Sequence, residues 1–251
     1  MAGGFLLFGG ICEKEVRGLR QRFDLHVHSH ASPDAMSSLA AIIRAARRRG
    51  IQGVAITDHD IFHGQGGISC LSGMKIIWGQ EVSTKEGELI GLFLNRTIPS
   101  GLSPEETIDA IRGQGGVTYL PHPYKKGGKS WTLETLERIG GGLDVVEVYN
   151  GRLLDQEANR AAVRLAEDLG VLQGAGSDAH TPWEVGRAFV EMAEFDSPAT
   201  FLHGLRNAKI FGRPPSISAR ILLNRFSRKF WRYLLLTLEQ HPFLKKLWLP
   251  F

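Results

Sequence analysis

Cysteine is almost absent from this chain of 251 residues, which contains only Cys12 and Cys70. Two cysteines do not make a disulfide framework, and their surroundings, Gly-Ile-Cys and Ile-Ser-Cys-Leu, do not resemble those of thiolate metal ligands. A scaffold held together by disulfides is therefore excluded. We expect reduced thiols and a cytoplasmic location.

Long hydrophobic runs are also missing, because no segment reaches the ~18 consecutive apolar residues that a membrane-spanning helix needs. The Gly-rich opening, residues 1–12, is apolar but short, and it has no basic leading segment. We expect an extra strand or a loose arm there, and no signal peptide. Hydrophobic residues make up 43% of the chain, enough for one large core, and single-domain α/β barrels routinely have this length.

Acidic residues are scarce near the end of the chain, where Glu239 is the only one in residues 212–251. The same segment contains eight basic residues: Arg213, Arg220, Arg225, Arg228, Lys229, Arg232, Lys245 and Lys246. Its charge of +7 leaves −3 of the total +4 for residues 1–211, so the net charge of the main body gives no support to nucleic-acid binding. Residues 217–238 are predicted to form a basic amphipathic helix, which either contacts an anionic membrane surface or packs on the barrel or a second subunit.

The most informative motif that is present is FDLHVH, residues 23–28. Side chains alternate across a strand, so His26 and His28 leave one face while Leu25 and Val27 leave the other. Two imidazoles on one face of a buried strand repel each other when charged and are costly to bury without partners when neutral. A divalent cation resolves this conflict, because neutral imidazole nitrogen is a common ligand of zinc, iron and manganese.

Further apolar runs also end in residues that can bind a metal. In proteins built from parallel strands, chemistry gathers at the carboxyl ends of the strands. Each residue alone has an ordinary interpretation, such as a helix cap for Asp58 or a core position for His122. Packing alone does not explain why five strand ends together carry such residues. The four strand ends after the first carry these candidate ligands or neighbours of ligands: Asp58, His59, Glu81, His122, Asp178 and His180.

Predicted strands and helices alternate along the chain, which indicates parallel pairing with right-handed crossovers. About seven β/α units with polar residues at one end predict a distorted (β/α)₇ TIM-like barrel, and an open doubly wound sheet is the alternative. After the first strand, the predicted strands are 51–57, 74–82, 88–94, 116–120, 143–149, 171–175, 187–192 and 209–211. A Gly-rich loop is predicted over 63–73, and a hairpin turn over 84–87.

Three segments are predicted from these patterns and from a break at Pro214-Pro215. Residues 1–22 form an N-terminal arm, residues 23–211 form the catalytic barrel, and residues 212–251 form a basic, apolar, helical tail. We expect the barrel to carry the chemistry.

Six short motifs occur in an order that closely resembles the PHP family, the polymerase and histidinol phosphatase domain. The resemblance runs from about Phe23 to Asn207, and it is strongest to the small stand-alone metal-dependent phosphoesterases. It implies a distorted (β/α)₇ barrel, a centre of two or three metals, and hydrolysis of phosphoesters. The motifs are Asp24-Leu25-His26-Val27-His28-Ser29, Thr57-Asp58-His59-Asp60, Gly79-Gln80-Glu81, Pro121-His122-Pro123, Glu147-Val148-Tyr149-Asn150 and Gly176-Ser177-Asp178-Ala179-His180.

The resemblance also implies a set of metal ligands, in which Glu81 bridges two ions. Asp34 is the least secure member, because His30 lies close enough to compete with it. Five imidazoles and three carboxylates exceed the four ligands of one tetrahedral zinc, so two or three divalent ions are expected, which are manganese, iron or zinc. The implied ligands are His26, His28, Asp34, His59, Glu81, His122, Asp178 and His180.

Other residues are predicted to act on the substrate. Asp58 and His180 are the predicted catalytic residues, and Asp58 is expected to act by orienting a ligand imidazole. Arg152 is predicted to bind a phosphate, because strand-end loops converge on the metals. Lys125 is predicted to do the same, although a lysine in this Gly-rich loop is otherwise a solvated charge, as are its neighbours Lys126 and Lys129.

The predicted function is hydrolysis of a small phosphomonoester or nucleotide by attack of a metal-bound hydroxide. One alternative is a nuclease that trims RNA or DNA ends, with the basic tail as a contact surface. Another is a module without enzymatic activity, docked on a membrane or a partner, in which the metals are structural. An amidohydrolase barrel also begins with His-x-His, but no lysine follows a middle strand as that family requires.

Overall fold

The computed structural model describes residues 20–127 and 131–215. Its strands are β1 (Gln21–Val27), β2 (Gly53–Ile56), β3 (Ile68–Leu71), β4 (Met74–Ser83), β5 (Glu88–Leu92), β6 (Val117–Leu120), β7 (Val145–Asn150), β8 (Leu172–Gly176), β9 (Ala188–Met192) and β10 (Lys209–Gly212). Its helices are α1 (Leu39–Arg48), α2 (Pro104–Arg112), α3 (Leu133–Gly140), α4 (Gln156–Leu169) and α5 (Pro198–Leu205).

The predicted tail helix, residues 217–238, and most of the predicted arm lie outside the described residues. The three domain boundaries and the membrane contact of the tail therefore stay predictions. Among the described helices, none combines the length and the apolar character that crossing a membrane requires.

The strands form one mixed sheet that curls into a barrel, as predicted. The order along the sheet is β10-β9-β1-β2-β4-β5-β6-β7-β8, and β3 pairs with β4 outside this path. The barrel closes where β1 meets the segment that follows β8. There the backbone N–H of His28 donates to the carbonyl of Ala179 at 2.9 Å, and the backbone N–H of Asp178 donates to the carbonyl of His26 at 2.8 Å. A β-carbon at Gly176 would lie 2.2 Å from the β-carbon of His26, so only glycine permits this approach.

Uniform parallel pairing, which the strand–helix alternation indicated, is wrong at four strands, the first of which is β3, antiparallel to β4. β5 is antiparallel to both β4 and β6, β9 is antiparallel to β1, and β10 is antiparallel to β9. The predicted hairpin turn over 84–87 is confirmed, and it is this short connection that reverses β5. Because β5 runs backwards, its amino end lies at the edge of the sheet where its neighbours have their carboxyl ends.

The predicted loop over 63–73 is also partly wrong, because it contains β3. Ser72 and Gly73 have φ angles of 50° and 72°, the pattern of a two-residue type I′ turn. This turn pairs Leu71 with Met74 and places β3 antiparallel to β4. No helix joins β2 to β4 in the described chain, so this hairpin occupies the place of a regular crossover.

Serine side chains cap the amino ends of two helices. The side chain of Ser38 accepts a hydrogen bond from the backbone of Ala41, and Ser103 forms a capping box with Glu106 at the start of α2. α1 ends before Gly50, whose φ of 67° is the left-handed conformation that glycine adopts at little cost. The apolar face of α1 then packs on β2 and β4.

Apolar residues from almost every strand fill the core. The largest cluster of buried side chains includes Phe23 and Leu25 from β1, Tyr119 from β6, Val145 from β7 and Ala175 from β8. Leu25 therefore leaves β1 on the opposite face from His26 and His28, as the alternation predicts. The core fixes the strands whose ends carry the polar residues.

A buried carboxylate, Asp24, ties β1 to the segment that follows β8. Its oxygens accept hydrogen bonds from the backbone N–H of Ser177 at 2.8 Å, the hydroxyl of Ser177 at 2.5 Å and the backbone N–H of Gly186 at 2.7 Å. Burial raises the pKa of Asp24 to about 6, while these donors act in the opposite direction. Asp24 thus joins the two strands that close the barrel.

We expect Asp24→Asn to lower the free energy of unfolding by roughly 2–4 kcal/mol, because the amide nitrogen cannot accept the hydrogen bonds that the carboxylate accepts. Urea denaturation at pH 8, where the carboxyl is ionised, measures the difference. The exposed Asp109→Asn is the matched control and should change stability by no more than about 0.5 kcal/mol. Equal unfolding midpoints for the two variants would contradict the role of Asp24.

Candidate metal centre

A buried carboxylate, Glu81 at the end of β4, lies among four imidazoles. Its Oε2 atom is 3.4 Å from Nε2 of His26, 3.3 Å from Nε2 of His28 and 3.2 Å from Nδ1 of His59. Its Oε1 atom is 3.0 Å from Nε2 of His122. The two oxygens of Glu81 therefore face different groups of histidines.

The other predicted acidic ligands complete the cluster. Oδ1 of Asp178 lies 3.8 Å from Nε2 of His26 and 3.5 Å from Nε2 of His28. Oδ2 of Asp34 lies 3.3 Å from Nε2 of His180, and its Oδ1 lies 3.8 Å from Nε2 of His59. All eight predicted ligands therefore converge on one region at the carboxyl edge of the parallel strands.

The distances in this region fit the ligand shell of a metal ion. Tetrahedral ligands at about 2.1 Å from an ion are about 3.4 Å from one another, which lies within the 3.0–3.8 Å found here. The donor atoms within 4.8 Å of one another include the groups His28-His59-His180, His26-His122-Asp178 and His26-His28-Glu81. Donors of nitrogen and oxygen in this number suit two or more divalent ions, and the set fits manganese, iron or zinc.

The protons on the imidazoles are fixed from behind, so that nitrogen lone pairs face the centre. Nδ1 of His26 lies 3.1 Å from Oε1 of Glu147, and Nδ1 of His28 lies 3.0 Å from the hydroxyl of Ser32. Nδ1 of His180 lies 2.9 Å from the carbonyl of Asp178, which can only accept a hydrogen bond. In the neutral tautomers that these partners favour, the Nε2 atoms are free to bind a cation.

The charges of the cluster are strongly coupled. Burial alone would raise the pKa of Glu81. The surrounding imidazoles, chiefly those of His59 and His26, outweigh this effect, and the pKa of Glu81 lies well below the usual range. Burial also raises the pKa of Asp178. The imidazole of His26 and the hydrogen bond from His28 act in the opposite direction, and the pKa of Asp178 lies well below the usual value. Burial lowers the pKa of His28, but hydrogen bonds to Asp178 and Glu81 raise it to about 8. Cations and protons therefore compete for the same imidazole nitrogens.

The backbone of two predicted ligands is strained. His122 and Asp178 have φ angles of 28° and 53°, a region that residues other than glycine rarely adopt. Such conformations persist only where the surrounding structure holds them, and they are concentrated at functional sites. The backbone N–H of His122 donates to Oε2 of Glu147 at 3.0 Å, which helps to hold this turn.

Two comparisons of sequence identify the family. Residues 24–126 match the family described as PHP domain, and residues 156–210 match the family described as PHP-associated. The chain belongs to the PHP family. Two uncharacterized proteins of Methanocaldococcus jannaschii are similar to this chain. MJ1587 is 39% identical over 56% of this chain and 88% of its own length. MJ0417 is 34% identical over 74% of this chain and 79% of its own length.

Solved structures with the same fold agree with this PHP assignment. A two-domain protein of Bacteroides vulgatus that contains a PHP-like metal-dependent phosphoesterase has a TM-score of 0.58 at 20% identity, over 80% of this chain and 68% of that chain. A lesion-specific endonuclease of Pyrococcus furiosus has a TM-score of 0.59 at 18% identity, over 76% of this chain and 58% of that chain. The predicted PHP resemblance and the distorted TIM-like barrel are therefore confirmed.

Within this PHP centre, Asp58 lies behind the predicted ligands. Its carboxylate accepts hydrogen bonds from the backbone and hydroxyl of Ser29 at 2.6 and 2.7 Å, and from the hydroxyl of Ser32 at 2.9 Å. Ser32 in turn contacts Nδ1 of His28. The structure therefore places Asp58 where it orients His28 through Ser32, and a direct catalytic part for Asp58 stays a prediction.

The predicted substrate-binding residues lie at the rim of the centre. Nη1 of Arg152 is 3.9 Å from Oδ1 of Asp178, and Nζ of Lys125 is 3.8 Å from Oε2 of Glu88. Lys126 points away and pairs with Asp155 at 2.8 Å. Lys129 lies outside the described residues. Arg152 and Lys125 are therefore the two cations of the described chain that we retain as candidates for the substrate.

His30, the alternative to Asp34, lies outside the cluster. It is exposed and lines a separate cavity of about 380 Å³ together with Phe62 and Trp78. Asp34 faces His59 and His180 instead. The structure thus favours Asp34 over His30 as the ligand.

The most important residue without a predicted role is Glu147, which is completely buried in β7. It contacts Nδ1 of His26, accepts from the backbone of His122, and accepts from the side chain of Asn150 at 2.8 Å. Asn150 also donates to Asp178 at 3.3 Å. Glu147 therefore positions His26 and His122 directly and Asp178 by way of Asn150, and these three residues make up one candidate metal group. The sequence signal was its position in the fifth PHP-like motif, where no metal ligand was expected.

We expect Glu147→Gln to weaken binding of the first Mn²⁺ equivalent by roughly 10- to 100-fold, because the amide cannot accept from both His26 and His122 with two oxygens. Calorimetric titration of metal-free protein with Mn²⁺ measures this affinity. Glu167→Gln, on the exposed side of α4, is the control and should bind as the unmodified protein does. Affinities within twofold of each other for all three proteins would rule out a positioning role.

Proposed function

We propose that this protein is a metal-dependent phosphoric ester hydrolase that acts on a small phosphomonoester or nucleotide. The proposal rests chiefly on the convergence of five imidazoles and three carboxylates beside two cationic side chains. A cluster of metal ligands alone fits many reactions, but the addition of Arg152 and Lys125 fits an anionic substrate. Membership of the PHP family agrees with this reaction class.

The cofactor set that fits is two or three divalent ions of manganese, iron or zinc. His26, His28, Glu81 and Asp178 would hold one ion, and His59, His180 and Asp34 another, with His122 and the second oxygen of Glu81 available to a third. Ions in such a site polarise the phosphoryl group and lower the pKa of a bound water. The remaining work falls to the protein, which must keep the ligands in place and bind the substrate.

Lys125 is suited to bind a phosphoryl group because it keeps its proton. Burial lowers its pKa, but the nearby carboxylates of Asp178, Glu81 and Glu88 raise it above the ordinary value. Arg152 is held by its loop, where its backbone N–H donates to the side chain of Asn150 at 2.9 Å. The two side chains supply fixed positive charge on the side of Asp178 and Glu88.

In this proposal His180 is a metal ligand whose orientation is fixed by its neighbours. Its ring is held between the carbonyl of Asp178 and the carboxylate of Asp34. Its backbone N–H donates to Oε2 of Glu184 at 3.0 Å, which fixes the loop after β8. We assign Asp58 a positioning role through Ser32 and His28.

The direct test is a substrate panel of p-nitrophenyl phosphate, bis(p-nitrophenyl) phosphate, nucleoside monophosphates and a labelled oligonucleotide. Each is assayed with added Mn²⁺, Fe²⁺ or Zn²⁺. We expect monoesters to be hydrolysed fastest, and we expect a His26→Ala/Asp178→Ala double variant to be inactive. Faster cleavage of the oligonucleotide would select the nuclease alternative. Equal rates for the protein and the double variant with every metal would refute hydrolase activity.

We expect Arg152→Met to lower kcat/KM for the best monoester by roughly 10- to 100-fold, since a charge-assisted hydrogen bond contributes about 1.5–3 kcal/mol. Metal binding, measured by titration, should remain intact in this variant. Arg164→Met, an exposed arginine of α4, serves as the control. An unchanged kcat/KM in Arg152→Met would remove Arg152 from the substrate site.

A further inference from the structure

Glu88, the first residue of β5, reaches the metal centre although no PHP-like motif of the sequence contains it. Ligands were expected at the carboxyl ends of parallel strands, but β5 is antiparallel to β4 and β6. Its amino end therefore lies beside the carboxyl end of β4, which carries Glu81. The reversed strand places a second glutamate at the edge where the ligands gather.

The side chain of Glu88 faces the ligands and not only the solvent. Its Oε2 atom is 3.8 Å from Nε2 of His122. One of its oxygens lies within 4.8 Å of a donor atom of Glu81 and of a donor atom of His59, which themselves lie within that distance of each other. Glu88 is 31% exposed at its side chain, so it lies at the open side of the centre.

Two carboxylates so close together need positive charge near them. Lys125 supplies part of it from 3.8 Å, at the open side of Glu88. On the inner side, Glu88 faces Glu81 and the imidazoles of His59 and His122. Two carboxylates and two imidazoles make a four-donor set of nitrogen and oxygen, which is the composition that a divalent transition metal prefers.

We propose that Glu88 is a metal ligand, and that it holds a divalent cation together with Glu81 and His59 beside His122. The nitrogen of His59 on this side is Nδ1, which faces Glu81, whereas its Nε2 faces Asp34. This inference rests on the proposed function only in so far as the centre binds metal. It adds a ninth ligand side chain to the eight predicted ones. It also gives Lys125 a second contact, because Lys125 then pairs with a ligand of the cation as well as facing the substrate.

The test is titration of metal-free protein with Co²⁺, followed by visible absorption, with Glu88→Gln compared to the unmodified chain. We expect the variant to lose one Co²⁺ equivalent or to bind its weakest equivalent 10- to 100-fold less tightly. Glu86→Gln is the matched control, because Glu86 lies two residues away in the same hairpin and pairs with Arg138. The control should keep every equivalent.

A second variant separates a ligand from a simple partner of Lys125. Lys125→Gln removes the ion pair but leaves the carboxylate of Glu88, so it should keep the number of Co²⁺ equivalents. If Glu88→Gln binds the same number of ions within twofold of the original affinities, the inference is wrong. Circular dichroism of the metal-free variants confirms that they are folded. Failure of the unmodified protein to bind Co²⁺ would instead refute the proposed metal centre as a whole.

Discussion

The contact between the carboxylate of Glu81 and the surrounding imidazoles is the interaction on which the rest of the site depends. Both oxygens of this buried side chain are engaged, one by His122 and the other by His26, His28 and His59. A carboxylate buried without such partners would be protonated, because burial disfavours its charge. With them its pKa lies well below the usual range, and it links four histidines from three strand ends into one electrostatic unit.

That unit exists only because the barrel closes. β1 carries two of the imidazoles, whereas Asp178 and His180 follow β8, the last strand of the sheet path. An isolated bridge between Val27 and Ala179 joins the two segments. Asp24 holds this junction with hydrogen bonds from Ser177 and Gly186. A buried carboxylate with several donors is costly to remove, since its partners would be left unsatisfied. Asp24 therefore stabilises the closure of the barrel, and Glu81, two strands away along the sheet, contacts the histidines of the site.

The sequence predicts the ligands of this site better than it predicts the connections of the sheet. The ligands stand at the ends of apolar runs, and the alternation of side chains along β1 suffices to pair His26 with His28. Strand direction depends on turn chemistry, and Ser72-Gly73 carries only a weak local signal for the hairpin of β3. Glu88 was missed although the hairpin that reverses β5 was predicted, because ligands were expected only at the carboxyl ends of strands and Glu88 lies at the amino end of β5. Glu147 was missed because a residue that orients a ligand has no spacing pattern of its own.

The residues behind the ligands show why the cluster suits cations better than a network of ordinary hydrogen bonds. Nε2 of His26 and Nε2 of His28 are 3.0 Å apart. Glu147 and Ser32 favour a proton on Nδ1 of each ring, so the two Nε2 lone pairs face each other when both rings are neutral. Protonation of one ring allows a hydrogen bond between them, at the cost of a buried charge beside the other imidazoles. A shared cation satisfies both lone pairs and the carboxylates of Glu81 and Asp178 together, which no single proton can do.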